Sequence, residues 1–320
     1  MSVPRFDIVL DSNRTYQPGQ DVTGHVIVDL TGPLKSRGVV LSCRGGGYVR
    51  INPNRKKLRQ NELLESKEIY FTEDKFTAGD GQNLMLFQPG SYTFEFSITL
   101  PLKIPNTINT IHGYVRYVLY CRFYETPLPK FLQDTYLDIK ELFSEPQQLR
   151  LGGVSVQQFV LFRSCNISVV PGILNSRYEQ AFERMSHVIC GSGEISFLFS
   201  IPKTGYQIGE NMHVTADIRN MSKREVIYSE VAINQTITFK AGGQTDTVHK
   251  RICSTKRGGI PPHETYLWDC VPIFIPNICD VTTAHCNIMV LEYWASFTVG
   301  VKTKVRVKQI QVHIPLVIGV

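Results

Sequence analysis

Apolar and polar residues alternate along most of this chain, in short runs closed by glycine and proline. Residues 5–10 alternate and end in the turn cluster Asp11-Ser12-Asn13. Residues 24–30 and 38–43 are the next runs, the latter broken by Gly45-Gly46-Gly47. A short run covers residues 68–72. Pro89-Gly90 opens the clearest one: Tyr92, Phe94, Phe96, Ile98 and Leu100 share a parity until Pro101 stops them. Residues 113–124, GYVRYVLYCRFY, form a longer run closed by Pro127 and Pro129, and residues 135–139 end the first half. Period two in aromatic and β-branched residues predicts half-buried strands. Residues 52–60, 78–83 and 103–112 read as loops or turns.

The second half repeats this grammar. Residues 194–200 form a strand, and a second starts at Met212, with Val214, Ala216 and Ile218 in phase. Residues 225–239 are read as two strands. Gly242-Gly243 and Gly258-Gly259 mark loops. Residues 266–276 echo 92–101 down to the closing proline, and 286–299 echo 113–123 with Tyr293 matching Tyr117. One segment breaks the pattern. Ser176 with Glu179 three residues on forms a capping box, and Tyr178, Phe182 and Met185 recur at four and three. That spacing predicts a helix over 176–187, packed on its own domain, with docking of a partner on its apolar face as the alternative.

The two halves share a turn. Tyr16, Gln17 and Gly19 recur as Tyr206, Gln207 and Gly209. In each copy the glycine is followed by two polar residues and then an alternating strand, with Val22, Val26 and Val28 in phase in the first. The copies lie 190 residues apart, which implies two related domains rather than a short-period solenoid. Strands at about ten-residue spacing between Gly and Pro turns point to antiparallel β-sandwiches.

Length agrees, since 320 residues provide for two domains with a core each. Hydrophobic content of 42% and charged content of 19% exclude a disordered chain. Up to Arg150 the chain has 18 basic and 16 acidic residues, and the remainder 16 and 12, so neither half is basic enough to argue for nucleic acid. The eight cysteines form no C-x-x-C pair, and the first ten residues have no apolar signal region. Reduced, structural thiols in the cytosol are the expectation, and the sequons at Asn13, Asn166, Asn220 and Asn234 are then chance matches. No apolar run approaches the ~20 residues of a membrane helix.

Assembled in order, these pieces resemble the arrestin family and specifically the α-arrestins, the arrestin domain-containing proteins that include the thioredoxin-interacting member. The resemblance rests on FDIVLDSNRTYQPGQDVTGHVIVDL, LFQPGSYTFEFSITLPLKIPNT with GYVRYVLYCRFY, GEISFLFSIPKTGYQIGENMHVTADIRN, CNIMVLEYWASFTV and IPLVIGV. It implies an all-β chain of two tandem immunoglobulin-like sandwiches, N-terminal-like over residues 1–147 and C-terminal-like over 148–320. It also implies a cytoplasmic adaptor, peripheral at plasma membrane or endosomes, with membrane-protein cargo or trafficking factors as partners in endocytosis. Residues 162–190 look longer than the family's usual connection.

The family recruits HECT-type ubiquitin ligases through P-P-x-Y motifs in a C-terminal tail. Here the sequence stops at Val320, and Pro261-Pro262-His263-Glu264-Thr265-Tyr266 has the wrong spacing for a groove-binding polyproline ligand. Ligase recruitment is therefore expected only through a partner. The thioredoxin-interacting member has a reactive cysteine before the tryptophan that matches Trp268, but Thr265 holds that place here, so no mixed disulfide can form there. Arg5 and Arg14 flank the first strand, yet residues 6–10 hold no lysine pair for a receptor-phosphate trigger. A retromer-subunit-like trafficking protein and a redox-linked thiol binding module are the alternative functions.

Signatures of catalysis are missing. There is no G-x-S-x-G, Walker loop or H-E-x-x-H, and neither catalytic residue, cofactor nor metal is expected. Arg44-Gly45-Gly46-Gly47 opens no helix, so it reads as a hairpin or bulge rather than a phosphate cradle. Cys270, Cys279, His285 and Cys286 read as structural rather than metal-binding. Two basic features are the candidate sites. Arg55, Lys56, Lys57 and Arg59 lie on a loop. Lys302, Lys304, Arg306 and Lys308 recur at period two, predicting one basic face on the last long strand, with Val301, Val305 and Val307 facing the core. Weighed against a plain solvated face is a patch for anionic lipid, phosphorylated tails or a partner.

Overall fold

The computed structural model describes residues 5–12, 15–52, 63–124, 155–161 (backbone only), 172–185, 193–277, 282–283 and 285–319. All its regular elements among them are strands. The chain divides into two compact units. Unit 1 is Met1–Arg163 with Phe239–Asp246 and Thr283–Met289; unit 2 is Ser164–Thr238 with Thr247–Thr282 and Val290–Val320.

In unit 1, β1 (Arg5–Leu10), β3 (Asp21–Leu30) and β8 (Gly90–Thr99) form one antiparallel sheet. A second sheet has the order β2 (Thr15–Tyr16), β11 (Ser155–Leu161), β10 (Gly113–Phe123), β5 (Gly38–Ile51), β6 (Leu64–Gly79), with β9 (Ile108–Asn109) also on β10. The short β4 (Leu34–Ser36) and β7 (Met85–Phe87) pair separately. The alternation read from β3 is real: Val22, Val26 and Val28 are fully buried, as are Ile98 on β8 and Val115, Tyr117, Leu119 and Cys121 on β10. Central β10 is buried on both faces, because Val118 and Tyr120 are covered as well.

Unit 2 has one sheet of β12 (Arg177–Met185), β13 (Gly193–Ile201), β15 (Asn211–Asn220) and β18 (Thr265–Phe274). The other is ordered β14 (Gly205–Gln207), β20 (Val307–Gly319), β19 (Met289–Lys302), β16 (Val226–Ala241), β17 (Gln244–Arg257), of which the ends at 239–246 and 289 are counted with unit 1. Between them, Phe199 stacks on Phe297 at 5.2 Å and Trp268 meets the same ring edge-on at 5.6 Å. Trp268 is fully buried, and its Nε1 donates to Ser229 Oγ at 2.9 Å.

The repeated turn holds in atomic detail. Gly19 and Gly209 have φ of 85° and 86°, a left-handed conformation open to glycine at little cost. Gln20 N donates to Gln17 O, and Glu210 N to Gln207 O, both at 3.1 Å. Gly19 N reaches Leu100 O at 3.0 Å, and Gly209 N reaches Ile275 O at 2.9 Å. The strand before each turn, β2 or β14, runs parallel to its neighbour, β11 or β20. The glycine run at 45–47 is a bulge: β5 continues through it with a register shift against β6 between Gly45 and Gly46.

Three expectations are corrected. Residues 177–185 are strand β12, paired with β13 from Arg177↔Ile201 to Met185↔Gly193, not part of a helix. Tyr178 and Phe182 are four apart, a spacing that places them on one face of either element. Met185 settles it, because it turns to the other face and is buried in the core. Pairing with β13 overrides the local capping signal. Residues 226–241 are one long strand instead of two. The last basic strand is in fact a hairpin tip: β19 ends at Lys302, 303–306 is a turn, and β20 begins at Val307. Val301 faces the core as expected, but Val305 is 94% and Val307 45% exposed, because Thr303 caps the turn. Its N donates to Arg306 O at 3.0 Å, and its Oγ1 accepts from Arg306 N at 3.1 Å. The predicted segments at 52–60 (but for Asn52) and 135–139 lie outside the described residues.

Candidate functional site: a basic cleft in unit 2

The end of β15, the start of β16, the segment before β18 and the β19–β20 turn converge on one open cleft of about 740 Å³. It is lined by Lys223, Arg224, Glu225, Gly259, Pro261, Pro262, Lys302, Thr303 and Lys304.

A buried amide holds the walls together. Asn220 is fully buried. Its Nδ2 donates to Arg224 O at 2.8 Å, Pro261 O at 2.9 Å and Ile260 O at 3.3 Å. Its Oδ1 accepts from Ser222 Oγ at 2.7 Å. Ser222 Oγ in turn accepts from Arg224 N at 3.1 Å. One side chain thus ties the 221–225 loop to the 260–261 segment without leaving a buried polar group unmet. Val226 and Ile260 exchange both backbone hydrogen bonds beside it, at 3.1 and 2.8 Å. Gly259 lets the chain pass, since a Cβ there would lie 2.8 Å from Val226 O. On the opposite wall, Lys302 N donates to Glu225 O at 2.9 Å.

The charges are unbalanced. Lys223, Arg224, Lys302 and Lys304 face a single carboxylate, Glu225, which pairs with Lys302 at 3.6 Å. Two exposed apolar residues adjoin these cations in the chain: Val305 next to Lys304, and Met221 two residues before Lys223, the latter 47% exposed. Cations flanking protruding apolar groups suit a surface that is anionic and partly apolar.

Of the predicted basic residues, Lys302 and Lys304 line the cleft and Arg306 lies in the adjoining turn. Lys308 points elsewhere, with Nζ 2.5 Å from Glu183 Oε1 on β12. Arg55, Lys56, Lys57 and Arg59 lie outside the described residues. Sequence reasoning missed Lys223, Arg224 and the Asn220–Ser222 knot. The signal was present, because Asn220-Met221-Ser222 is an asparagine-turn pattern that ends an alternating strand.

The cysteines among the described residues are free thiols: Cys43, Cys121, Cys253, Cys270 and Cys286. Burial pushes Cys121 up to about 12 and raises Cys43, Cys253 and Cys286 as well, away from thiolate reactivity. Cys270 is exposed, at a bulged position of β18 with φ 46°. His285 is exposed and Cys286 buried, while Cys279 lies outside the described residues. Thr265 opens β18 opposite Arg219. Tyr266 follows within the strand and accepts from Arg257 at 3.1 Å, so the Pro261–Tyr266 string ends in a sheet.

Two sandwiches, each built from the same turn and the same order of strands, define an arrestin-type fold. The N-terminal domain model of the arrestin (or S-antigen) family matches residues 6–131, and its C-terminal domain model matches 191–320. Arrestin domain-containing protein 4 of Mus musculus is 24% identical over 97% of this chain and 69% of its own length. The Homo sapiens counterpart is 22% identical over 99% and 71%. Arrestin domain-containing protein 1 of Rattus norvegicus is 21% identical over 99% of this chain and 64% of its own. The chain belongs to the arrestin family, in its arrestin domain-containing or α-arrestin branch, a family of adaptors.

Proposed function

We propose that this protein is a non-enzymatic adaptor in membrane-protein trafficking, which meets an anionic membrane surface through the basic cleft and turn of unit 2 and binds cargo on its sandwich surfaces. One observation carries this reading: four cations and one carboxylate line the cleft, and the exposed Val305 and Met221 adjoin them in the chain. Near an anionic leaflet each such cation contributes about 1 kcal/mol. The cleft walls are fixed by backbone and amide hydrogen bonds, so the cations are presented without ordering a loop on contact.

Proximity labelling in cells tests the proposal, with the 320-residue chain compared with a variant carrying Lys223→Glu, Arg224→Glu, Lys302→Glu and Lys304→Glu. Enrichment of membrane cargo and ubiquitin ligases, lost in the variant, is the expected result. Enrichment of sorting-coat subunits without ligases would replace this reading by the retromer-like one. Capture dominated by thioredoxin-family proteins would overturn it in favour of a thiol module.

A further inference from the structure

Strand β12 carries its large apolar side chains outward. Tyr178 and Phe182 are each 69% exposed, and Leu198 of β13, opposite Gln180 and diagonal to both rings, is 43% exposed. Among the described residues, no strand pairs with the far side of β12. Its nine residues contain neither Gly nor Pro, and its pairing with β13 shows no bulge. Among the described residues β12 thus has neither glycine, proline nor bulge to blunt it; β20 lies alongside and joins it through Lys308 and Glu183 without pairing to it, and an unpaired row of N–H and C=O groups is a template for another strand.

The sequence RYEQAFERM specifies which strand fits. Lay a second copy of β12 antiparallel to the first, with Gln180 opposite Gln180. Tyr178 then faces Phe182, and Arg177 faces Glu183, each twice by symmetry. Aromatic pairs and opposite charges directly across an antiparallel ladder are favourable. Adjacent symmetric registers fail. Centring on Ala181 sets Glu179 against Glu183, and centring on Glu179 sets that carboxylate against itself. Glu183 already accepts from Lys308 Nζ at 2.5 Å through Oε1, and its other oxygen can take Arg177 of the second copy. Residues 177–185 fall between the two matched family domains.

We propose that two copies of this chain associate through β12 in the Gln180-centred register. The four-stranded sheets of the two copies then join into one of eight strands, with Tyr178, Phe182 and Leu198 forming a continuous apolar row on its outer face.

The test uses the full chain. Sedimentation equilibrium should show a concentration-dependent dimer, and a monomer at every soluble concentration would overturn the proposal. Arg177→Glu should weaken the dimer roughly tenfold, and adding Glu183→Arg with Lys308→Glu, which keeps the β20 partner of residue 183 opposite in sign, should restore it. Failure of that restoration would rule out the register. Oxidative cross-linking then reads geometry in a Cys270→Ser background. Gln180→Cys, an exposed position on the two-fold axis, should link copies covalently. Arg184→Cys, on the same face but far from its mate, should not. Linkage of neither or of both would contradict the arrangement.

Discussion

The two copies of the glycine turn agree in backbone and differ in charge. Both close with a left-handed glycine, and both hand the next strand to its partner through the same pair of backbone hydrogen bonds. In the first copy, Gln17 N donates to the Gln20 side-chain amide at 2.8 Å. In the second, Gln207 N donates to the Glu210 carboxylate at 2.9 Å, and Lys203 bonds the other carboxylate oxygen. Lys203 also sits 5.0 Å over the Tyr206 ring. The fold thus requires an acceptor four residues into the turn and a glycine before it, whereas the charge of that acceptor is free to vary. This is why the repeat is visible at Tyr, Gln and Gly and blurred beside them.

The comparison can be broken most severely in a core. Trp268→Ala removes the edge partner of Phe297 and strands Ser229 Oγ, so a loss of about 3–5 kcal/mol is expected. In urea denaturation it should lower the transition of unit 2 while leaving that of unit 1 in place, if the two unfold separately. Next come Tyr117→Phe and Tyr293→Phe, which delete equivalent buried hydroxyls. Tyr117 donates to Pro105 O and Tyr293 accepts from Gln235 Nε2, both at 2.6 Å. Each change should cost about 1–3 kcal/mol by leaving a buried polar group unmet, read as a shift in midpoint at constant slope.

Gly19→Ala and Gly209→Ala sharpen the comparison at the turn itself. A Cβ on Gly19 would meet Leu102 Cδ2 at 2.6 Å, and one on Gly209 would meet Asn277 Oδ1 at 3.1 Å. Leu102 is 76% exposed and swings away, so the left-handed φ sets both costs, about 1–2 kcal/mol each. Thermal shifts differing by more than about twofold between the two variants would show that the turns are not equivalent. Glu210→Gln is the mildest test: it keeps the acceptor and removes the Lys203 pair, which is partly exposed. A loss below about 1 kcal/mol is expected, and a larger one in chemical denaturation would assign the charge a structural role.

Most strands were legible because their buried parity is apolar, as with Val22, Val26 and Val28 or Phe197 and Phe199. The illegible ones have physical reasons. Strand β17 reads QTDTVHKRICSTKR, an edge strand with few apolar residues to betray its period. Strand β12 carries a helix-compatible i, i+4 aromatic pair, and only its partner β13 decides between the two periods. The alternating lysines after Val301 look like a strand, but period two is also what a hairpin tip shows when both arms end in charge. That confusion moved the basic site by half a turn of chain: Lys302 and Lys304 reach the cleft, whereas Lys308 is spent on Glu183. Lys223 and Arg224 were invisible as a site because their loop is held to the 260–261 segment by Asn220, a knot closed across 41 residues of sequence, and to Lys302 by Glu225.

The most direct measurement is vesicle flotation of the chain on phosphatidylcholine with and without phosphatidylserine. The account predicts binding only to the acidic vesicles, weakened by salt, and lowered roughly a hundredfold or more when Lys223, Arg224, Lys302 and Lys304 are all changed to Glu. Equal binding of the native chain and the variant to acidic vesicles would contradict it.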